Sequence, residues 1–441
     1  MKTIQIHTDR ALRPIKPMHG VGGGPLTSNF SYNAIPQFRE AGIPFSRTHD
    51  IEYPYGAGEF VDIHCIFKDF DKDVNDPASY NFIFTDEYFK AVLESGAKPF
   101  YRLGSTIEHQ PIKRYIHPPK DFAKWGEICS HIIAHYNEGW ADGFHMGIEY
   151  WEIWNEPDIG QCWTGTEEEI MALYDAAATI IKRDHPDVKI GGLAFTSSYA
   201  ALAEKWLAHV KEAGTPLDFF SWHGYCHKPE EARANSEHAD MLLKKYGFAD
   251  TVESIFDEWN YVVRWDDLQK SVDLHRTGFC ASFVSAVMSE VQKTRTDKLM
   301  YYDVQMLMGG NWNGVFHALP QKQHAAQAPV ACDKPYYCFK AWNELYKAGT
   351  EVMCEAPENC YVTAAYSAES GKTVLLLSYY NDDAFYGDSA PADDDFVFVL
   401  DGVSAKDAKA YIVDNDRTYE EVPFADGKLS LHGNSFALIA F

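Results

Sequence analysis

Two segments of the chain carry residues that could do covalent chemistry. Residues 151–157 read Trp-Glu-Ile-Trp-Asn-Glu-Pro and contain Glu156; residues 255–260 read Ile-Phe-Asp-Glu-Trp-Asn and contain Glu258. Each Glu closes a short aromatic run of strand type, and about 100 residues separate the two. Two carboxyl groups held about 5–5.5 Å apart cleave a glycosidic bond with retention, one protonating the leaving oxygen while the other attacks the anomeric carbon. At about 6.5–9.5 Å the same pair activates a water and inverts. The acid must stay protonated near neutral pH, and a nearby negative charge raises its pKa. A lone Glu at a strand end is ordinarily a surface or ion-paired residue. Here an Asn-Glu-Pro tripeptide ends an aromatic strand and a second Glu follows, which favours catalysis. Glu152 is the second choice for the acid, because alternation keeps it on the face of Glu156 only while the strand stays regular.

The elements that must position these groups alternate. Strand candidates lie at 17–22, 43–49, 97–104, 150–155, 188–194, 218–223, 254–258 and 299–304. Helical periodicity fills the gaps. Phe122, Trp125, Cys129, Ile132, Ile133 and Tyr136 share one face, and Gly139 follows as a stop. Thr166 with Glu169 three residues later predicts a capping box at the head of another helix, which buries Ile170, Leu173, Tyr174, Ala177 and Ile181. Eight such units over 16–350 predict a (β/α)8 TIM barrel of the α/β class, with a doubly wound open sheet as runner-up. No GxGxxG follows the first strand, and the glycines at 22–24 precede no GK[ST], so a nucleotide loop is not supported. Beyond 350 short strands punctuated by Gly, Asp and Asn predict a β-sandwich over 351–441. Residues 1–10 alternate like a strand and can complete it. The acidic stretch 382–395 reads as a loop.

In a parallel barrel the active face is built at the carboxyl ends of the strands. Those ends supply Arg47, His49 and Asp50, then Arg102, then Asn155 and Glu156, then His223 and Tyr225, then Glu258 and Asn260, and finally Asp303 and Gln305. With Glu156 and Glu258 three βα units apart, the pair faces across the barrel mouth. Arg47 and Arg102 are read as ion-pair supports for carboxylates inside the barrel. Trp312, in the loop after the eighth strand, is either a stacking platform for sugar or a loop cover.

Composition narrows the partners. Asp and Glu number 64 against 39 Lys and Arg, a net charge of −25, which disfavours nucleic acid and anionic membrane because both need a basic face. No run of 18 apolar residues predicts a membrane span, and the first residues hold no signal-like apolar core. Nine cysteines without a CxxC pair predict a reduced, cytoplasmic protein without disulfides or a zinc site. No metal or cofactor is implied, since two carboxylates need none. Monomeric and homo-oligomeric forms are both compatible with this composition.

At these residues the sequence resembles the TIM-barrel retaining glycosidases, and within them glycoside hydrolase family 39, the family of β-xylosidases and α-L-iduronidases. The matching stretches run along most of the barrel. They are Arg-Thr-His-Asp at 47–50, Asp76-Pro77 with Tyr80, Pro-Phe-Tyr-Arg-Leu-Gly at 99–104, His135-Tyr136, and residues 151–157. Asp-Phe-Phe-Ser-Trp-His at 218–223, Glu-Trp-Asn at 258–260 and Lys-Pro-Tyr at 334–336 complete them. The resemblance implies that Glu156 is the acid/base and Glu258 the nucleophile. It implies that Asn155 bonds the sugar 2-hydroxyl, that His49 and Asp50 line the sugar pocket, and that His223 and Tyr225 sit near the nucleophile, with the tyrosine hydroxyl orienting it. Asn260 belongs to the supporting set. The family also carries a small β-sandwich beside its barrel. One departure concerns substrate. Xylosidases and iduronidases of the family carry an acidic Glu pair after the eighth strand, and here 301–308 read Tyr-Tyr-Asp-Val-Gln-Met-Leu-Met. The expected activity is retaining hydrolysis of a terminal sugar from small oligosaccharides or glycosides, first a β-xyloside, then an arabinoside, galactoside or glucoside. A catalytically silent sugar-binding barrel is the alternative.

Overall fold

The structure, a computed structural model, describes residues 1–27, 30–51, 60–305, 312–319, 327–401 and 408–441. Eight short strands close into a parallel barrel in sequential order: β1 (Gly20–Gly22), β2 (Phe45–Arg47), β3 (Lys98–Leu103), β4 (Tyr150–Ile153), β5 (Lys189–Phe195), β6 (Phe219–His223), β7 (Glu253–Trp259) and β8 (Lys298–Tyr301). The eight sequence candidates each fall on one of them, so the open doubly wound sheet is excluded.

Several strands are shorter than the sequence suggests, for a physical reason at their carboxyl ends. Asp50, Trp154 and Glu156 adopt φ of +52°, +67° and +47°, left-handed values rare for residues with a side chain. The chain leaves the ladder at these points and turns side chains into the barrel mouth, where stored strain is a usual mark of function.

Local signals set the helices. The side chain of Asp121 caps helix Phe122–Asn137, whose apolar face buries Trp125, Cys129, Ile132, Ile133 and Tyr136. The Thr166 and Glu169 capping box is formed in both directions, at 3.2 and 2.7 Å, ahead of helix Glu167–Asp184. Helix Gly278–Gln292 is buried along its whole length, as an all-round apolar helix must be. One side meets the barrel and the other meets the C-terminal sheet. At its start Gly278 is required, because a Cβ there would meet the Asp414 carbonyl carbon at 2.2 Å.

Beyond the barrel lies one nine-stranded sheet. Strand Lys2–Pro14 sits inside it, antiparallel to Thr350–Glu355 and parallel to Asp394–Leu400. Its two edge strands, Thr418–Val422 and Lys428–Leu431, are joined by residues 423–427 alone. A flat sheet of this width would hold its edges about 38 Å apart at 4.8 Å per strand, beyond the reach of so short a link. The sheet therefore wraps on itself as a sandwich. Ile4, Ile6, Leu375, Phe396, Ile412 and Ile439 fill its interior, while Val374 and Leu376 on the opposite face join the barrel core. No described helix is long and apolar enough to cross a membrane.

Candidate active site

The residues at the barrel's carboxyl mouth form one buried polar network around Arg47. From the end of β2 its guanidinium donates to Glu152 Oε2 at 2.8 Å, Glu258 Oε2 at 3.1 Å and Asn155 Oδ1 at 2.7 Å, with Asp257 Oδ2 at 3.2 Å. Arginine suits this position because its planar fork serves several acceptors at once. Arg47 fixes Glu258 on one side, and the Tyr225 hydroxyl donates to Glu258 Oε1 at 2.6 Å on the other. Burial holds the Glu258 carboxyl above its usual range, and Arg47 and Tyr225 oppose that rise.

Glu156 lies opposite, just past β4, with its backbone N–H bonded to the Ala194 carbonyl of β5 at 2.9 Å. Its Oε1 is 2.7 Å from His223 Nδ1, and the Cys162 thiol approaches Oε2 at 3.9 Å. Burial first, and then the charges of Asp158 and Asp50, push Glu156 up to about 8. One carboxyl oxygen of Glu156, one of Glu258 and a ring nitrogen of His223 lie within 4.8 Å of each other. The two glutamates differ in environment: burial keeps a proton on Glu156, while Arg47 and Tyr225 brace Glu258 as donors.

Other sequence candidates fall into distinct places. Asn155 is buried with its carbonyl turned to Arg47, which leaves its amide N–H groups free of carboxylates. His223 is fully buried and held at about 4 by desolvation, so the ring is neutral at physiological pH. It lies near Glu258, at 3.6 Å, as the resemblance implies, and nearer still to Glu156, at 2.7 Å, so it bridges the two glutamates. Asp50 accepts from the Tyr302 hydroxyl, and His49 Nε2 lies 3.4 Å from Asp50. Asn260 spends its side chain on structure, donating to the carbonyls of Tyr302 and Trp312 and accepting from Tyr261 N–H.

Arg102 supports neither glutamate. It donates to Asp62 at 2.5 Å, and Asp62 also accepts the Thr106 N–H at 2.8 Å. Its cation is thus committed to pinning loops after β2 and β3. Glu152, the alternative acid, is fully buried behind the mouth, and Arg47 holds it below the usual carboxylate range. It cannot keep a proton for a leaving group. Trp312 is half-buried, its ring 5.4 Å from Tyr225 and 6.0 Å from Tyr302; its loop neighbours Gly310 and Asn311, and Met306 to Met308, lie outside the described residues.

Four participants were not assigned roles from sequence. Asp257 enters the network although it adjoins Glu258, because a register irregularity in β7 between Phe256 and Glu258 breaks the alternation. Burial and Glu152 push Asp257 well above the carboxylate range, so it holds a proton beside the ionised Glu152. Tyr302 and Asp303 follow β8; both Asp303 oxygens are buried without a hydrogen bond among the described residues. Trp265, 63% exposed, extends the ring cluster outward at 5.9 Å from Trp312. Its sequence signal is a Trp five residues past the strand-seven Glu-Trp-Asn.

A closed parallel barrel with two opposed glutamates at its carboxyl mouth is the arrangement of the TIM-barrel glycosidases. The chain belongs to glycosyl hydrolases family 39, whose model matches residues 2–338. It is 27% identical over 241 residues to a β-xylosidase of Caldicellulosiruptor saccharolyticus, covering 48% of this chain and 46% of that protein. It is 27% identical over 192 residues to a β-xylosidase of Geobacillus stearothermophilus, covering 40% and 36%. The matches thus span half or less of the length of these curated relatives. Among solved structures, a glucosidase from Croceicoccus marinus superposes with a TM-score of 0.79 at 19% identity, covering 100% of this chain and 98% of that one. A monomeric β-xylosidase from Caulobacter crescentus gives 0.69 at 16% identity, covering 100% and 99%. At such identities these two likenesses speak for the fold alone.

Proposed function

We propose that this protein is a retaining exo-glycosidase acting on small glycosides, with Glu258 as nucleophile and Glu156 as acid/base. The observation that carries this reading is the approach of their carboxyl oxygens to within 4.8 Å. So close an approach of the two side chains favours direct attack by one of them over activation of a water held between them. In the first step Glu156 gives its proton to the leaving oxygen as a Glu258 oxygen bonds C1, and a glycosyl ester forms. In the second, Glu156 takes a proton from water, which displaces the ester from the face the leaving group left. Asn155, His49, Asp50, Tyr302 and Trp312 are placed to hold the sugar. The neutral His223 ring, 2.7 Å from Glu156 Oε1, holds that carboxyl in position by a hydrogen bond through both steps.

A β-xyloside is the first substrate choice, since both curated relatives are named β-xylosidases. A glucoside comes next: one structural neighbour is named a glucosidase, and the acidic pair of the family's xylosidases is absent from residues 301–308. The cytoplasmic reading fits small substrates.

Proton NMR of the first product tests the mechanism. A β-xyloside should release β-xylose before mutarotation, and first release of the α-anomer would exclude retention. Nitrophenyl β-xyloside, α-arabinoside, β-galactoside and β-glucoside compared side by side identify the sugar.

The pH dependence follows from the two environments. kcat/KM should fall on the alkaline side as Glu156 loses its proton near pH 8, and on the acid side at a pH above the ordinary carboxylate value, where Glu258 becomes protonated. Stability carries the same signature. The native state binds the Glu156 proton more tightly than the unfolded chain, so this residue's contribution is present below 4.5 and is lost as pH rises to about 8. Glu156→Gln should flatten the alkaline limb and that part of the denaturation–pH curve together. A profile level from pH 5 to about 9 would sink the assignment.

A further inference from the structure

A second cavity, of about 800 Å3, opens on the same face of the barrel, among the segments after β2, β3 and β4. Its described lining contains Lys68, Arg114 and Lys120 and no Asp or Glu, in a chain of net charge −25. Lys120 pairs with Asp71 at 3.1 Å. Lys68 and Arg114 make no ion pair and no side-chain hydrogen bond among the described residues. Glu108, the acid nearest Arg114 in sequence, is already engaged: its oxygens accept the backbone N–H groups of Arg114 and Tyr115, both at 2.8 Å. One wall is flat. Tyr115, half exposed, lies parallel to the His64 ring with centroids 3.7 Å apart. His64 is kept neutral by burial, so the positive charge belongs to the lysines and the arginine.

The cavity also has a defined place relative to the chemistry. Trp154 lines it, and the two residues that follow are Asn155 and Glu156. It thus adjoins the segment that carries Glu156, the acid/base of the proposed mechanism, from whose side a leaving group departs. An aromatic wall next to two uncommitted cations matches a ring that carries a negative charge. We propose that this cavity is the leaving-group site and that it selects aglycones in which a ring bears a carboxylate, whether an aryl acid or a uronic acid. The inference rests on the glycosidase reading for its role in turnover, and on the cavity alone for binding.

The test compares phenyl and 4-carboxyphenyl glycosides of one sugar, whose leaving phenols are of similar basicity, together with the same sugar linked to glucuronic acid. Wild type is set against the double variant Lys68→Ala, Arg114→Ala. At low salt wild type should favour the carboxyphenyl glycoside in kcat/KM by about fivefold to tenfold. The preference should shrink with added salt. It should vanish in the double variant, with phenyl glycoside turnover unchanged. A gain only for the uronic acid arm would make the natural aglycone a sugar acid, and a gain only for the aryl arm an aromatic acid. An equal rate on all three, or a preference that survives in the double variant, overturns the proposal. Binding is read independently by titrating 4-hydroxybenzoate against the fluorescence of Trp125 and Trp154. Saturable quenching in wild type, lost in the double variant, supports the cavity even if no glycoside is cleaved. Absence of quenching together with no charge preference refutes it.

Discussion

Glu258→Gln should lower turnover by a factor on the order of 10^4 or more, because a carboxamide cannot form the glycosyl ester. The substitution is nearly isosteric. Its carbonyl can still accept from Arg47, and its amide can donate to the Tyr225 oxygen, so both braces of the native side chain persist. Folding and sugar binding should therefore survive. The sharper form of the experiment uses small replacements with added azide. Glu258→Gly leaves space on the attacking face, and azide should restore turnover as a glycosyl azide of inverted configuration. Glu156→Ala retains the nucleophile, and azide should resolve the ester to a product of retained configuration. Activated nitrophenyl substrates should partly bypass the loss of Glu156 but not that of Glu258. Exchange of the two azide products would reverse the roles. Residual wild-type-like hydrolysis by Glu258→Gln would remove it as nucleophile.

The second large effect concerns Arg47. It is almost wholly enclosed and within 3.2 Å of Glu152, Asp257 and Glu258. Arg47→Met removes a cation that faces three carboxyl groups and frees the Asn155 carbonyl. Breaking a buried pair from one side costs about 3–5 kcal/mol, chiefly through the charge left behind. A urea or thermal midpoint should register that loss. A second readout separates catalysis from folding. Without its neighbouring cation the Glu258 carboxyl rises further, so the acid limb of kcat/KM should move to higher pH. Arg47→Lys should recover part of the stability but not the activity, since an ammonium cannot serve Glu152, Glu258 and Asn155 in one plane. An unchanged midpoint and an unmoved acid limb would show that the network does not depend on this residue.

The barrel and its two glutamates were legible because they depend on local facts. Apolar runs ending in polar residues mark strands, and their order along the chain fixes their neighbours. What escaped depends on departures from regularity or on partners distant in sequence. Alternation hides Asp257 behind Glu258, and only the irregularity in β7 brings both inward. Arg102 carries no mark of its partner, because Asp62 lies in a loop forty positions earlier. His223 could be placed at the mouth by its strand, but its preference for Glu156 over Glu258 is a matter of less than an ångström. In the C-terminal sheet, Thr418–Val422 and Lys428–Leu431 went unrecognised as strands. Thr418–Val422 buries none of its residues fully, so it carries no apolar face, and Lys428–Leu431 alternates but over only four residues, too few to stand out from the loops around it.

The place of the strand Lys2–Pro14 bears on how the molecule comes together. Gln5 pairs with Glu355 and Lys2 with Phe396, so this strand waits for partners that lie hundreds of residues later in the chain. Such contacts carry a high loop-closure cost and slow the search for the native state. A ribosome-bound chain cut short after the barrel would display Ile4 and Ile6 without partners and one bare flank of the helix Gly278–Gln292. Barrel and sheet are thus obliged to finish folding as one cooperative unit, and nascent chains need protection from aggregation until the partner strands emerge.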